Sequence, residues 1–379
     1  MTNYDINTLA TPYFIVDESL LVRNLEILSK VKAATDCKIL LAQKGFAMYA
    51  LYPLISQYLD GTCSSGLHEA KLAHKYFDGE NHVYSPAFAQ TDFPQILEIC
   101  DHIVFNSFNQ WQLFKPLCIG KGKQLGIRIN PELSTQQHEK PIYDPCAPAS
   151  RLGVTAANFR PDLIEGIDGL HFHTLCQQGP DALEATLQAV EEKFGKYLHH
   201  MQWLNFGGGH HITRPGYDVD RLVTIINRVK STYGLQVYLE PGEAVALNAG
   251  FLAATVLDVV DNSMQIAVLD TSAACHMPDV LEMPYRPHII NSGQPSEKPH
   301  TYRLAGVSCL AGDIIGDYSF AAPLKPGDRL LLTDMAIYSM VKTNTFNGVP
   351  LPTLVVLRQN GSIGHVKTFG YDDFESRLS

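Results

Sequence analysis

Several short segments of this sequence carry residue types that can do chemistry, and most of them follow an apolar run. Lys44 follows the run Lys38–Ala42 (KILLA), with Gln43 between them. An amine that is partly desolvated at the end of a strand can form a Schiff base, although a surface lysine gives the same pattern. His171 and His173 alternate in the segment GLHFHTLCQ, so both point to one face of a strand. That pattern is typical of a metal-binding pair, of a cap on a planar cofactor, or of two hydrogen-bonded core histidines.

Three consecutive glycines and two glutamates form the next candidates. Gly207, Gly208 and Gly209 follow another strand-like run, and Glu240 and Glu243 lie in the segment YLEPGEA. Consecutive glycines let backbone N–H groups approach an anion such as a phosphate, or they make a tight turn. The two carboxylates suit a protonated ring nitrogen or a cationic ligand, or a turn with solvated side chains.

The C-terminal third offers a thiol and a few polar side chains. Cys309 and Asp313 lie in SCLAGDIIGD, and Tyr338 precedes the segment 346–348 (FNG). A thiol here can act as a proton donor or pack as a small buried hydrophobe.

The elements that must position these residues alternate between strand and helix over the first two thirds of the chain. Such alternation predicts βα units, a parallel sheet and, over residues 36–253, a (β/α)8 barrel resembling a TIM barrel. From residue 254 the pattern is mostly strand-like, which predicts a β domain of residues 254–379 together with an N-terminal strand at about 10–17. The predicted strands are 13–16, 38–42, 82–84, 102–105, 125–129, 169–173, 203–206, 237–240, 254–260, 265–269, 302–307, 328–333 and 353–358; the predicted helices include 18–32, 48–58, 182–194 and 220–233.

Composition excludes several classes of protein. The 379 residues are 45% hydrophobic and 18% charged, with a net charge of −10, which is typical of a globular chain and not of a disordered one. An acidic surface is unsuited to nucleic-acid phosphates and mildly attracts cationic substrates. We expect no membrane span, because no apolar run reaches the required ~20 residues. A polar N-terminus and eight scattered cysteines predict a cytoplasmic protein with reduced thiols.

Taken in order, the motifs resemble a known family. The segments TPYFIVD, AQKG, HFHTLCQ, GGG, EPG, SCLAGD and FNG run through nearly the whole chain. They resemble the fold-type III pyridoxal-phosphate decarboxylases, the group of ornithine and diaminopimelate decarboxylases. Within that group, AQKG, GTCSSGLHEA, HFHTLCQ, EPGEA and SCLAGD are most similar to members that act on carboxylated polyamines such as carboxynorspermidine and carboxyspermidine.

The resemblance implies a role for each candidate residue. Lys44 would bind pyridoxal phosphate as a Schiff base, His173 would stack on its ring, and Glu240 would pair with its ring nitrogen. Cys309 would protonate the carbon that has lost carbon dioxide. The phosphate would be held by Gly207, Gly208, Gly209 and Tyr338. The resemblance also implies a homodimer with shared active sites, and it places Arg128 and Arg151 near the site.

Departures from the family pattern bear on the substrate. Ornithine and diaminopimelate decarboxylases carry an acidic residue directly after the reactive cysteine, where this chain has Leu310. Relatives have a phosphate-binding arginine after EPG, where this chain has Glu243. A carboxylate at that position indicates a cationic amine within the substrate. Asp279 is the second predicted contact for that amine. Further candidates are Glu282 and Asp313, and Cys176 replaces a phosphate-binding serine.

Three alternatives remain open from the sequence. The first is another amino-acid decarboxylase of the same fold, acting on diaminopimelate, arginine or ornithine. The second is a metal-dependent barrel hydrolase; its candidate ligands are His171, His173, His210 and His211. The third is a non-catalytic homologue that keeps the fold.

Overall fold

A computed structural model of the chain describes residues 5–136 and 141–379. The described chain divides into two compact units. We call residues 24–245 the barrel unit, and residues 5–23 with 246–379 the sheet unit.

The strands are short in the barrel unit and longer in the sheet unit. In the described residues they are β1 (Tyr13–Asp17), β2 (Lys38–Ala42), β3 (Gly61–Ser64), β4 (Glu80–Tyr84), β5 (His102–Phe105), β6 (Gln124–Arg128), β7 (Gly169–His171), β8 (Trp203–Asn205), β9 (Gln236–Leu239), β10 (Gly250–Asp261), β11 (Gln265–Leu269), β12 (His300–Ala305), β13 (Ile314–Phe320), β14 (Arg329–Thr333), β15 (Thr353–Leu357) and β16 (Ile363–Lys367).

The longest helices belong to the first two thirds of the chain. The described α-helices are α1 (Glu18–Thr35), α2 (Tyr52–Ile55), α3 (Leu67–Tyr76), α4 (Phe93–Ile99), α5 (Phe108–Cys118), α6 (Pro180–Leu198), α7 (Val219–Tyr233), α8 (Glu243–Ala246), α9 (Ala273–His276), α10 (Asp279–Glu282) and α11 (Tyr371–Glu375). Local signals set their ends. For α7, the Asp218 side chain accepts a hydrogen bond from the Arg221 N–H at 2.9 Å, and Gly234 ends the helix in the left-handed region at φ 70°.

The barrel unit is a closed parallel barrel. Strands β2 to β9 pair in chain order, and β9 pairs with β2 to complete the ring. The predicted (β/α)8 barrel is therefore confirmed. Because all eight strands are parallel, their carboxyl ends meet at one edge, where barrel active sites lie.

Side chains fill the interior of the barrel, and small residues make room for large ones. Leu40, Val104, Trp203 and Tyr238 form a buried cluster. A Cβ built on Gly169 would lie 2.0 Å from the Trp203 ring, so the first residue of β7 has to be glycine. The interior is thus packed and is not a pore.

The sheet unit contains a mixed sheet, which confirms the predicted β domain. Its strand order is β13-β12-β11-β10-β1-β15-β16, and β14 pairs with β10. The N-terminal strand β1 runs antiparallel to β10 and parallel to β15. Its five residues are all buried, as expected for a strand inside a sheet.

Some elements differ from the prediction. The helix predicted over 48–58 is a 3-10 turn (Tyr49–Leu51) followed by the short α2. Pro53 lacks an N–H group and suits the first turn of a helix, so the longer helix cannot run through it. Strands β3, β13 and β16 were not predicted, because polar residues or glycine interrupt their apolar runs. Among the described residues, the helices are all too short or too polar to cross a membrane.

Candidate active site

The predicted barrel residues all lie just beyond the carboxyl ends of strands. Lys44 follows β2, His173 follows β7, Gly207 follows β8 and Glu240 follows β9. The Nζ atom of Lys44 lies 3.5 Å from Nε2 of His173, so the structure brings these two together. The Lys44 side chain is exposed, so its amine is accessible to a ligand.

The His173 ring is fixed from two sides. The Gly208 N–H donates to its Nδ1 at 2.8 Å, and the Arg128 guanidinium donates to its carbonyl oxygen at 2.9 Å. Burial lowers the pKa of the imidazole well below its usual value, and the charges of Lys44 and Arg128 lower it further. His173 is therefore a neutral ring held at the barrel mouth. Arg128 meets its predicted location. Arg151 is exposed; its carbonyl oxygen accepts a hydrogen bond from Asn106 Nδ2, and its charge acts on the Tyr84 hydroxyl.

The three glycines form a cradle that no larger residue can make. A Cβ on Gly207 would lie 2.4 Å from the Phe172 carbonyl oxygen, and one on Gly208 would lie 2.4 Å from that of Glu240. Gly209 combines a left-handed φ of 82° with a Cβ position 1.9 Å from the Leu175 carbonyl oxygen. Backbone this close to its neighbours can present its N–H groups to an anion without side chains intervening.

Glu240 is mostly buried, with 12% of its side chain exposed, and hydrogen bonds keep it ionised. Asn205 Nδ2 donates to its Oε1 at 2.7 Å, and His171 Nε2 lies 3.1 Å from its Oε2. Burial would raise the pKa of Glu240, but the interactions with His171 and Asn205 outweigh burial and hold that pKa at about 2. Burial lowers the pKa of His171, so we assign it as a neutral donor.

Asn205 links the carboxylate to the glycine cradle. Its Oδ1 accepts the Gly207 N–H at 2.8 Å, and the Gly207 carbonyl accepts the Glu240 N–H at 2.8 Å. The sequence analysis missed this role of Asn205 and assigned His171 only to metal binding, ring capping or the core. The one available signal was the position of Asn205, two residues before the glycines.

These groups fit pyridoxal phosphate. The Lys44 amine suits an aldehyde, the glycine cradle suits a phosphate, and the ionised Glu240 suits a protonated ring nitrogen. The neutral His173 ring is the kind of group that stacks on an aromatic ring.

Glu243 begins α8 and is already partly engaged. Gln177 Nε2 donates to its Oε1 at 2.8 Å, and His211 Nε2 lies 3.4 Å from the same oxygen. Gln177 has a left-handed φ of 55°, which is uncommon for a residue with a side chain. In the described part of the chain these contacts fall on Oε1, which leaves Oε2 for a cationic ligand. Cys176, beside Gln177, is partly buried.

In the sheet unit, Cys309 and Leu310 are exposed on the loop between β12 and β13. Tyr338 has a left-handed φ of 55°, and such conformations in bulky residues are common at functional sites.

Asp279, a predicted substrate contact, has an internal partner. The Lys342 ammonium bonds both Asp279 and Glu282. The prediction did not include Lys342.

Asp313, another predicted substrate contact, is hydrogen-bonded within its own unit. It is only 3% exposed, and both carboxylate oxygens accept hydrogen bonds from its own unit. The substrate contact of Asp313 therefore stays a prediction.

The geometry does not favour the metal-hydrolase alternative. Within residues 5–136 and 141–379, the group of ligand atoms close enough to share a metal ion is Glu80, His82 and His102, not the predicted histidines. This group lies at the amino ends of β4 and β5. Glu80 is already paired with Lys38, and its Oε2 also lies 2.9 Å from His82 Nε2 and 3.9 Å from His102 Nε2, so the three side chains are bonded to one another.

Comparison with known proteins agrees with this geometry. The profile of a family described as "Pyridoxal-dependent decarboxylase, C-terminal sheet domain" matches residues 13–336. A carboxynorspermidine/carboxyspermidine decarboxylase from Campylobacter jejuni is 43% identical over 97% of this chain and 98% of its own. A carboxyaminopropylagmatine decarboxylase from Synechocystis is 42% identical over 100% of this chain and 98% of its own.

Solved structures give the same picture. The Campylobacter jejuni carboxynorspermidine decarboxylase complexed with norspermidine has a TM-score of 0.91 and 42% identity, covering 97% of this chain and 100% of that one. The Helicobacter pylori diaminopimelate decarboxylase has a TM-score of 0.84 at 17% identity, covering 98% of each chain, and shows the shared fold.

Proposed function

This chain belongs to the pyridoxal-dependent decarboxylases, and from that premise we propose that it decarboxylates carboxynorspermidine, and also carboxyspermidine. The products are norspermidine or spermidine and carbon dioxide, and the reaction is a step of polyamine synthesis. The observation that carries this proposal is the 43% identity, over 97% of the chain, to an enzyme with those substrates. Glu243 supports it, because a carboxylate in place of a phosphate-binding cation suits an amine inside the substrate.

The barrel unit supplies the groups that hold the cofactor. We assign Lys44 to the aldehyde, Gly207, Gly208 and Gly209 to the phosphate, and Glu240 to the ring nitrogen. When bound, pyridoxal phosphate supplies an electron sink for the bond that releases carbon dioxide. Glu240 keeps that sink effective, because its ionised carboxylate stabilises a protonated ring nitrogen.

The remaining assignments concern the phosphate, proton transfer and the substrate amine. Tyr338 is a further phosphate ligand, and Cys309 donates the proton that replaces the lost carboxyl group. Glu243 and Asp279 bind the amines of the polyamine. For Asp279 this requires that its Lys342 partner shares the carboxylate with the substrate.

A second substrate has comparable support. The Synechocystis relative is named for carboxyaminopropylagmatine and is 42% identical over 100% of this chain. Agmatine ends in a guanidinium, so this substrate differs from the first in the shape of its distal cation. Carboxynorspermidine and carboxyspermidine differ by one methylene, which is worth only ~1–3 kcal/mol in a pocket.

The first experiment establishes the cofactor and then ranks the substrates. Purified protein should show a visible absorbance band that borohydride bleaches, with the pyridoxyl mass on the Lys44 peptide. The three carboxylated polyamines should have higher kcat/KM values than diaminopimelate, ornithine or arginine. Lys44→Ala should abolish turnover. Near-normal activity in that variant, or a preference for a simple amino acid, would refute the proposal.

We further propose a homodimer with shared active sites, located in the cytoplasm. Exposed apolar side chains flank the exposed Cys309, notably Leu310 and Phe346, and they suit a covered surface. Mixing the Lys44→Ala and Cys309→Ala variants tests the sharing. Activity above that of either variant alone supports it, and a mixture no faster than its components contradicts it.

A further inference from the structure

The loop that carries Cys309 is held from beneath by a buried carboxylate. Asp313 accepts hydrogen bonds from the Ser308 hydroxyl at 2.6 Å and from the Ser308 N–H at 3.2 Å. The Ser308 hydroxyl also accepts a hydrogen bond from the Leu310 N–H at 3.4 Å. The residues on either side of Cys309 are therefore both linked to Asp313.

Asp313 is itself anchored to the short helix α9. The Ser272 hydroxyl donates to its Oδ2 at 2.8 Å, and the Ala274 N–H donates to its Oδ1 at 3.2 Å. Gly306 packs closely against Asp313. A Cβ on Gly306 would lie 2.2 Å from Asp313 Oδ2, so a larger residue does not fit there. A carboxylate with four donors and no room above it serves as a fixed anchor.

Cys309 is held from its other side by the segment FNG. The Asn347 Oδ1 accepts the Cys309 N–H at 2.8 Å. Asn347 reaches this position with a left-handed φ of 57°, a conformation that asparagine tolerates better than most residues.

The segment that carries Asn347 rests on α9 as well. The Asn344 N–H donates to the Cys275 carbonyl at 2.9 Å, and the Asn344 side chain donates to the Ala274 carbonyl at 2.8 Å. The Phe346 N–H in turn donates to the Asn344 side chain at 3.0 Å. The helix α9 therefore supports both Asp313 and the segment that carries Asn347, and these two residues hold Cys309.

We infer that Asp313 and Asn347 are positioning residues, which hold the backbone of Cys309 so that its thiol can deliver a proton. This inference rests on the proposed function, because it presupposes that Cys309 is the proton donor. Neither residue needs to touch the substrate. Their effect is to limit the conformations of the loop before the reaction begins.

Two conservative variants test Asn347 and Asp313 separately. Asn347→Gly removes the acceptor for the Cys309 N–H and keeps a backbone that adopts positive φ without strain. Asp313→Asn keeps the shape and replaces one acceptor oxygen with a donor. The control is Ser292→Ala, because Ser292 makes a comparable hydrogen bond, 2.8 Å to the Ile289 carbonyl, elsewhere in the same unit.

Hydrogen exchange and kinetics of the cofactor-loaded enzyme provide the readouts. In both variants, amide exchange across residues 306–313 should become faster. With carboxynorspermidine, kcat should fall about tenfold, as expected for one lost hydrogen bond, while KM changes less than about twofold. Ser292→Ala should change neither quantity. Faster exchange with an unchanged kcat, or unchanged exchange, would overturn the inference.

Kinetics in a Cys309→Ala variant distinguish a positioning role from a general structural role. In the Cys309→Ala variant there is no thiol to position, so adding Asn347→Gly should lower the remaining kcat less than about twofold. A tenfold loss in this background as well would assign Asn347 a structural role only. If the unaltered enzyme does not turn over carboxynorspermidine, the proposed function fails. The exchange data would still show whether Asp313 and Asn347 hold the loop.

Discussion

Two glutamates at opposite ends of the barrel strands have similarly lowered pKa values but different partners. Glu240 follows β9, and Glu80 begins β4. In each, burial would raise the pKa, but hydrogen-bonded neighbours hold it at about 2. Each pairs with a histidine, His171 at 3.1 Å and His82 at 2.9 Å. A lowered pKa therefore does not identify which glutamate is functional.

The difference is a counter-ion. Glu80 pairs with the Lys38 ammonium. In the part of the chain that the structure describes, the Glu240 carboxylate bonds His171, Asn205 and the Cys63 thiol, and none of these is a lysine or arginine. A mostly buried carboxylate whose partners do not include a lysine or arginine leaves a place for a further cationic group. We propose that for Glu240 this group is the protonated ring nitrogen of the cofactor.

The largest expected effect tests this contrast directly. Glu240→Gln should lower kcat/KM for carboxynorspermidine by about 10²–10³-fold, because a preorganised charge opposite the reacting system is lost. Glu80→Gln removes an equally ionised carboxylate and should lower kcat/KM less than about threefold. Steady-state kinetics at saturating pyridoxal phosphate measure both. Similar losses in the two variants would show that the counter-ion does not distinguish the sites.

The sequence predicts the positions of such residues better than their partners. Glu240 is recognisable beside the EPG turn at the end of an apolar run. Its donors lie 69 and 35 positions away along the chain, on neighbouring strands, and only the strand pairing brings them together. The same holds for Asn347, which is 38 positions from Cys309.

The strands show the same difference between what a local pattern predicts and what depends on distant pairing. Strands with continuous apolar runs, such as β2 and β5, have the predicted bounds, because burial on both faces leaves a clear pattern. The strand β3 (GTCS) carries no such pattern and depends on its two neighbours for pairing. The internal hydrogen bonds of Asp313 are likewise not visible in the sequence, and its contact with substrate stays a prediction. A carboxylate in a loop is the same in sequence whether it faces a ligand or the loop itself.

An intermediate effect is expected from a substitution in the glycine cradle, which lies against the backbone of Glu240. In Gly208→Ala the new Cβ would lie 2.4 Å from the Glu240 carbonyl oxygen, so the cradle or the carboxylate must move. We expect the Kd for pyridoxal phosphate to rise by at least about tenfold, the cost of modest overpacking. Gly66→Ala is the control, since a Cβ there meets no atom within 4 Å. Absorbance titration of the apoprotein gives both constants, and equal values for the two variants would show that the cradle tolerates the methyl group.

The smallest effect concerns stability at the amino ends of the strands. Burial, and then the neighbouring His82, lower the pKa of His102 to about 2 from a usual 6.5. Below pH 6.5 the unfolded chain binds a proton at His102 that the folded chain does not bind. The stability is therefore complete above pH 6.5 and falls with decreasing pH, by about 1.4 kcal/mol per unit for this group.

His102→Phe should remove that part of the acid sensitivity. Between pH 7.5 and 5.5, its free energy of unfolding should fall by about 1.4 kcal/mol less than that of the unaltered chain, as measured by urea denaturation. His200→Gln alters an exposed histidine and should leave the difference unchanged. If both variants keep the full acid sensitivity, then His102 is protonated in the folded chain. Glu80 would then have a second cation, and its contrast with Glu240 would be greater still.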